Sequence, residues 1–157
     1  MPRVRGPSAS IPLDHVLADF RAAVDRGAAE VVLAGVDLSA WGREQGFGLP
    51  DLLDALLGLR TGARIRLSSI EPHGLSEALI ARMASGPDVC PHLHVPLQSG
   101  SERILAAMNR PGRLADVREV LAEARRAVPG LALGFDAIVG FPGETDADFA
   151  ATRAFVE

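Results

Sequence analysis

Four apolar runs in this sequence each give way to a short string of small and polar residues, and those strings hold the groups best suited to binding a polar ligand. The first run ends in Gly35-Val36-Asp37 and the second in Ser68-Ser69 with Glu71 close behind. The third ends in Gln98-Ser99-Gly100-Ser101, and the fourth in Asp136 and Gly140 with Gly143-Glu144-Thr145 beyond. Small residues let a ligand approach the backbone, while hydroxyl, amide and carboxylate groups can bind the hydroxyls and the amino-acid end of a nucleoside-like molecule. The same residue types also build turns and cap helices. Ser101, Thr145 and Asp146 read better as caps. Ser69, Gln98 and Asp136 lie within or directly after an apolar strand, where a cap has no use, so they read as binding groups.

The remaining reactive side chains say less. His92 and His94 stand two apart on a strand and therefore share a face, the geometry of a catalytic zinc site in barrel hydrolases. His15 and His73 are the other histidines, and no later strand supplies one, so a packed, hydrogen-bonded pair is the better reading. Cys90 has no adjacent histidine and acid to mark it as a nucleophile and reads as a buried thiol. Trp41 sits in a glycine-bearing loop, where it either covers a pocket or packs against the rim. The arginines read as solvated surface charge, although Arg110 closely follows the Gln98 turn.

These groups need a scaffold, and the periodicity supplies one. Leu13, Val16, Leu17, Phe20 and Val24 recur at helical spacing and predict a helix ending near Arg26. Strand EVVLAG follows, then the loop VDLSAWGREQGFG and a helix from Leu49 to about Leu59. Strand RIRLSSI, turn EPHG and a helix from Leu75 to about Ser85 repeat the unit. Strand HLHVPL, turn QSG and a short helix through Met108 repeat it again. A further helix carries Leu114, Val117, Val120, Leu121, Ala124 and Val128 on one face. Pro129-Gly130 ends it before strand LALGFDAIVG, and a last helix begins after that. Strands alternating with helices imply right-handed crossovers and a parallel sheet, an α/β fold. Four βα units of a barrel are favoured over an open doubly wound sheet, because no Gly-x-Gly-x-x-Gly follows the first strand. In either architecture ligands bind at the carboxyl ends of the strands, where the polar strings lie.

Bulk properties narrow the function. With 157 residues, 48% apolar and 23% charged, the chain has the composition of an ordinary globular domain. A net charge of -4 argues against a protein held to nucleic acid by overall positive charge. The single cysteine excludes an internal disulfide and any cysteine-only metal or iron–sulfur site built within this chain. No apolar run is long enough to span a bilayer and the first residues lack a signal-peptide core, so a cytoplasmic location is expected.

The blocks AGVDLSAWG, RIRLSSIEP, HLHVPLQSGSERILAAMNRPG and GFDAIVGFPGETDADF, in that order, resemble the core of the radical S-adenosylmethionine (SAM) methylthiotransferases. RIRLSSIEP is similar to the branch that modifies N6-threonylcarbamoyladenosine in tRNA. The resemblance implies a radical SAM partial (β/α) barrel with parallel strands and outer helices, binding SAM and a [4Fe-4S] cluster held by a Cys-x-x-x-Cys-x-x-Cys loop. It implies a deoxyadenosyl radical acting at C2 of the adenine, with sulfur from a second cluster and a methyl group from another SAM. Gly35 and Asp37 match the segment near the SAM amino group, and Ser68, Ser69 and Glu71 the next strand exit. Gln98 and Ser99 match the turn facing the ribose and carboxylate, and Asp136, Ile138 and Gly140 the segment beside the adenosine. These are binding roles; no catalytic residue and no metal ligand is expected in this chain.

MPRVRGPSASIP resembles the stretch directly after the third cluster cysteine, although Ala9 and Ile11 stand where the family often has basic residues. Residues 1–157 are therefore expected to be a partial radical SAM core. The cluster loop, the N-terminal methylthiotransferase domain and the C-terminal RNA-binding domain would be absent, and the chain alone inactive. The parent's partners would be tRNA, an electron donor and a sulfur source, with no membrane, and exposed barrel edges would favour self-association. Methylthiotransferases of another tRNA adenosine or of a ribosomal protein, a metal-dependent barrel hydrolase and a non-enzymatic binding module are the alternatives.

Overall fold

A computed structural model describes residues 9–110 and 112–157, so most of the MPRVRGPSASIP segment lies outside the described residues. The elements run α1 (Leu13–Asp25), β1 (Glu30–Leu33), α2 (Leu49–Leu57), β2 (Arg64–Leu67), α3 (Glu77–Ala84), β3 (His92–Gln98), α4 (Glu102–Ala107), α5 (Leu114–Ala127), β4 (Ala132–Ala137) and α6 (Asp146–Val156). The expected order of elements is present, with shorter bounds. Leu75 and Ser76 precede α3 because Ser76 serves as its N-cap, its hydroxyl accepting the Leu79 N–H. The loop after β1 contains two short 3₁₀ turns, Leu38–Ala40 and Arg43–Gln45.

All strand pairing is parallel. β1 pairs with β2 and β3 with β4, and two isolated bridges, Ile65 with Val89 and Ser69 with His94, join the two ladders at the β2–β3 seam. The strands thus lie in their sequence order, an α/β arrangement without the order reversal of a doubly wound sheet.

One face of this sheet is packed and the other open. Along β3, Leu93, Val95 and Leu97 are buried while His92, His94, Pro96 and Gln98 are half-buried, the period of two that a strand imposes. Ile65 and Leu67 join them against Leu52, Leu53 and Leu56 of α2, Leu79, Ile80 and Met83 of α3, and Leu121 and Ala124 of α5. Alternate positions, among them Glu30, Arg66, His94 and Asp136, fall on the open face. Its amino end is closed by charge. Glu30 accepts hydrogen bonds from Arg64 at 2.8 Å, Arg66 at 2.6 Å and the Cys90 thiol at 3.3 Å, so one carboxylate ties β1, β2 and the approach to β3.

The hydrogen bond from Arg66, then that from Cys90, holds the Glu30 carboxyl down at about 2 against its ordinary 4.5. A carboxylate held down in the folded state stabilises it above its ordinary pKa, and that contribution is lost as pH falls toward the folded value. Glu30→Gln is therefore expected to make the loss of stability below pH 4.5 shallower. Urea midpoints taken near neutrality and at about pH 3 read this; an unchanged acid dependence would contradict the latch.

The second tie lies at the carboxyl end. The turn after β3 docks on α6, where a Cβ at Gly100 would sit 2.5 Å from Thr152 Cα and 2.7 Å from the Ala151 carbonyl oxygen. Both obstacles are backbone, so neither can swing away. Gly100→Ala is expected to destabilise by roughly 1–3 kcal/mol, the usual range for overpacking, whereas Gly86→Ala should change stability by less than about 0.5 kcal/mol. Nothing lies within 4 Å of a Cβ at Gly86. Equal denaturant midpoints for the two variants would refute the docking.

Candidate functional site

The carboxyl half of β3 is where the expected binding residues meet. The β3–β4 register slips between Val95 and Gln98, at Pro96, which has no N–H to give to a ladder. Beyond the slip Gln98 adopts φ 67°, a left-handed conformation that costs a non-glycine residue energy, and its carbonyl accepts the Ile138 N–H at 2.8 Å. Ser69 pairs with His94 across the seam, and His94 Nε2 lies 2.9 Å from Asp136 Oδ2. Ser69, Gln98, Asp136 and Ile138 thus gather around one stretch of β3. Ile138 is 45% exposed, an uncovered apolar group beside these polar ones.

The other expected residues divide. Asp37 and Glu71 both line a cleft of about 630 Å³ together with Pro96, Leu97 and Arg110 and with Leu114, Val117 and Val120 of α5. Glu71 accepts two hydrogen bonds from Arg110 Nη1, at 2.9 and 3.2 Å, which gives that arginine a partner the sequence did not foretell. Ser68 continues β2, its N–H bonded to the Leu33 carbonyl, and Gly35 sits exposed after β1. Gly140 has φ 78° and gives its N–H to Glu144 Oε2 at 2.5 Å.

Ser99 is placed elsewhere. Its side chain is fully buried against α6, with Oγ 3.3 Å from Thr152 Oγ1 and accepting the Ser101 N–H at 3.1 Å. Its hydroxyl braces the turn and does not reach the open face. Ser101 caps α4, accepting the Ile104 N–H, and Thr145 caps α6 in a box with Asp148, so both act as caps. Asp148 also receives hydrogen bonds from Ser101 and Arg103; the Arg103 contact, then that of Ser101, holds its carboxyl well below the usual carboxylate range. α4 and α6 are thereby clamped on either side of the Gln98 turn.

His94 is the residue that sequence reasoning undervalued. Its ring lies over β4 at Gly134, where a Cβ would come within 3.0 Å of Nδ1, so a glycine there gives the imidazole its path to Asp136. The side chains are 31% and 63% exposed. A pair that open to water contributes about 0–1 kcal/mol. Glycine inside a strand costs about 0.5–1 kcal/mol relative to alanine. Stability alone does not account for the arrangement.

Metal and thiol chemistry find no support here. Among the described residues no three His, Cys, Asp or Glu side chains are placed to hold a metal ion. His92 is kept neutral by burial and by the nearby Arg66 charge, and its Nδ1 is buried without a partner. Burial, then the hydrogen bond to Glu30, pushes the Cys90 thiol up, so it stays protonated near neutrality. Trp41 packs: it is 9% exposed and its Nε1 donates to the Ile11 carbonyl at 3.0 Å. No helix among the described residues is long and apolar enough to cross a membrane.

Known proteins of similar sequence are tRNA-modifying enzymes by name. The chain is 41% identical to a tRNA-2-methylthio-N(6)-dimethylallyladenosine synthase of Thermobifida fusca over all of its length and 32% of the relative. It is 39% identical to the protein of that name from Cereibacter sphaeroides, covering 99% of the chain and 36% of the relative. It is 37% identical to the threonylcarbamoyladenosine tRNA methylthiotransferase MtaB of Thermotoga maritima, covering 94% and 34%. The chain thus spans about a third of the length of these curated relatives. The family model described as the radical SAM superfamily matches residues 1–156, and the chain belongs to that superfamily.

Proposed function

We propose that these 157 residues are the adenosyl-binding part of a tRNA methylthiotransferase, its strands forming part of a (β/α) barrel that acts on N6-threonylcarbamoyladenosine in tRNA. The observation that carries the reading is that Ser69, through its bridge to His94, and Asp136, through its contact with the His94 ring, meet on the open face at the carboxyl half of β3, with Gln98 at the turn that follows. Ligands of parallel α/β folds bind at that end. Block RIRLSSIEP favours the threonylcarbamoyl substrate. The names of the Thermobifida and Cereibacter relatives, both more identical to the chain than the Thermotoga protein, favour dimethylallyladenosine as the second reading.

The residues fit SAM as a ligand. Gln98 presents an amide at a left-handed turn, Asp136 a largely exposed carboxylate, and Ile138 an apolar surface for a base. Gly35 and Asp37 lie exposed at the first strand exit. They do not fit an iron–sulfur cluster, which needs several thiolates: Cys90 is the chain's one cysteine, buried and bonded to Glu30. When bound, SAM and its cluster supply the reductive radical chemistry. This chain's part is to seat the adenosine and to line the pocket. tRNA, an electron donor and a sulfur source are the partners of this reading, and the cytoplasm is its compartment.

Disrupting the gene and measuring modified nucleosides in tRNA by mass spectrometry tests the reading. The 2-methylthio derivative of threonylcarbamoyladenosine should disappear while that of dimethylallyladenosine persists. The reverse would establish the second reading, and no change in either would refute both. The purified chain, reconstituted anaerobically with iron and sulfide, should show no stoichiometric [4Fe-4S] absorption; a stable cluster would contradict the assignment of its ligands outside these residues.

A further inference from the structure

Among the groups on the open face, the His94–Asp136 pair stands apart because its stability contribution does not account for the glycine it requires. Glu30 at the amino end of the same face is fully engaged, with Arg64, Arg66 and Cys90 all donating to it. Asp136 differs. His94 Nε2 lies 2.9 Å from Oδ2, a contact that pairs opposite charges when the imidazole is protonated, and the Asp136 side chain is 63% exposed. The His94 main chain is held by the Ile70 N–H, which its carbonyl accepts at 2.9 Å, and its ring lies over Gly134. The carboxylate therefore has one oxygen against the imidazole and a largely water-exposed side chain, beside the Ser69 position.

A carboxylate oxygen fixed in this way is an acceptor, and the matching donors are the vicinal hydroxyls of a ribose or the exocyclic N–H of an adenine. We propose that His94 is a positioning residue: it orients Asp136 to accept hydrogen bonds from an adenosine moiety lying on the open face, and Gly134 exists to let it do so. The inference rests on the adenosyl-binding reading above and adds to it the residue that sets the acceptor's direction. Aligning the acceptor before the ligand arrives lowers the ordering cost of binding. The adenosine could belong to SAM or to the nucleoside being modified, and both present the same donors.

Isothermal titration of the purified chain with S-adenosylhomocysteine in one arm and N6-threonylcarbamoyladenosine in the other separates these sources. For whichever ligand binds, Asp136→Asn and His94→Ala should each weaken it about tenfold. His94→Gln, which keeps a side-chain N–H, should restore most of the affinity. Gly134→Ala, which removes neither group but blocks the ring, should weaken binding as His94→Ala does. The ¹⁵N resonances of the His94 imidazole should shift on ligand addition, a response a purely structural histidine would not give. Binding by the wild-type chain that all four variants leave unchanged would overturn the inference while leaving the adenosyl reading standing. Binding of neither ligand to the wild-type chain would overturn both.

Discussion

The β2–β3 seam is the constraint on which the rest of the structure depends. On either side of it the strands form regular parallel ladders; at the seam itself only Ile65 with Val89 and Ser69 with His94 are bridged. Three backbone hydrogen bonds hold it: Ile65 N–H to the Asp88 carbonyl at 2.7 Å, Cys90 N–H to the Ile65 carbonyl at 2.8 Å, and Ile70 N–H to the His94 carbonyl at 2.9 Å. Gly35, Asp37, Ser68, Ser69 and Glu71 come from one side, and Gln98, Asp136, Ile138 and Gly140 from the other. If the seam opened, no common site would survive. The packed face secures what the sparse ladder does not, because Ile65, Leu67, Leu93 and Val95 enter the same apolar core beneath it. At roughly 25 cal/mol per Å² of apolar surface, such burial outweighs a few missing sheet hydrogen bonds worth about 1 kcal/mol each.

How far the sequence could be read follows from which features are periodic. The alternation HLHVPLQ is a strict two-residue pattern, so the two faces of β3 were legible, and with them that His92 and His94 share one face. The polar strings at the strand exits were legible because they interrupt apolar runs. Direction within a turn was not. Ser99 and Gln98 are neighbours, yet after the slip at Pro96 one side chain is buried against Thr152 and the other belongs to a left-handed residue at the open edge. No spacing rule encodes that divergence, because it is set by the docking of α6, which lies some fifty positions later in the chain. The His94–Asp136 contact was hidden for a related reason: it depends on the register of β3 against β4, and register is a tertiary outcome. A glycine inside an otherwise apolar strand, Gly134, was the one sequence signal that a neighbour approaches closely there.

The two ends of the open face are built on opposite principles. At the amino end, Glu30 is surrounded by donors and its charge is matched by Arg64 and Arg66, so that end binds itself. Its acid is held ionised by the hydrogen bonds from Arg66 and Cys90, burial pushes the thiol up, and burial with the Arg66 charge pushes His92 down. At the carboxyl end the positioning is just as firm but the hydrogen-bonding capacity is incomplete. α4 and α6, joined through Asp148, clamp the Gln98 turn, and the His94 ring lies against one oxygen of the largely exposed Asp136 carboxylate.

That asymmetry is the physical ground of the proposed reading. Groups that are rigid and already satisfied stabilise a fold; groups that are rigid and unsatisfied store recognition, because a ligand supplying the missing donors meets partners whose ordering cost has been met during folding. In a parallel α/β arrangement only the carboxyl end gathers loops able to be adapted in this way, since the amino end must return the chain from helix to strand. On the adenosyl reading proposed above, a molecule that carries a diol, an amino group and a flat apolar base would meet the exposed Asp136 carboxylate and the exposed Ile138 together. A simple anion would meet the Asp136 charge, and a purely apolar ligand would bury it unpaired.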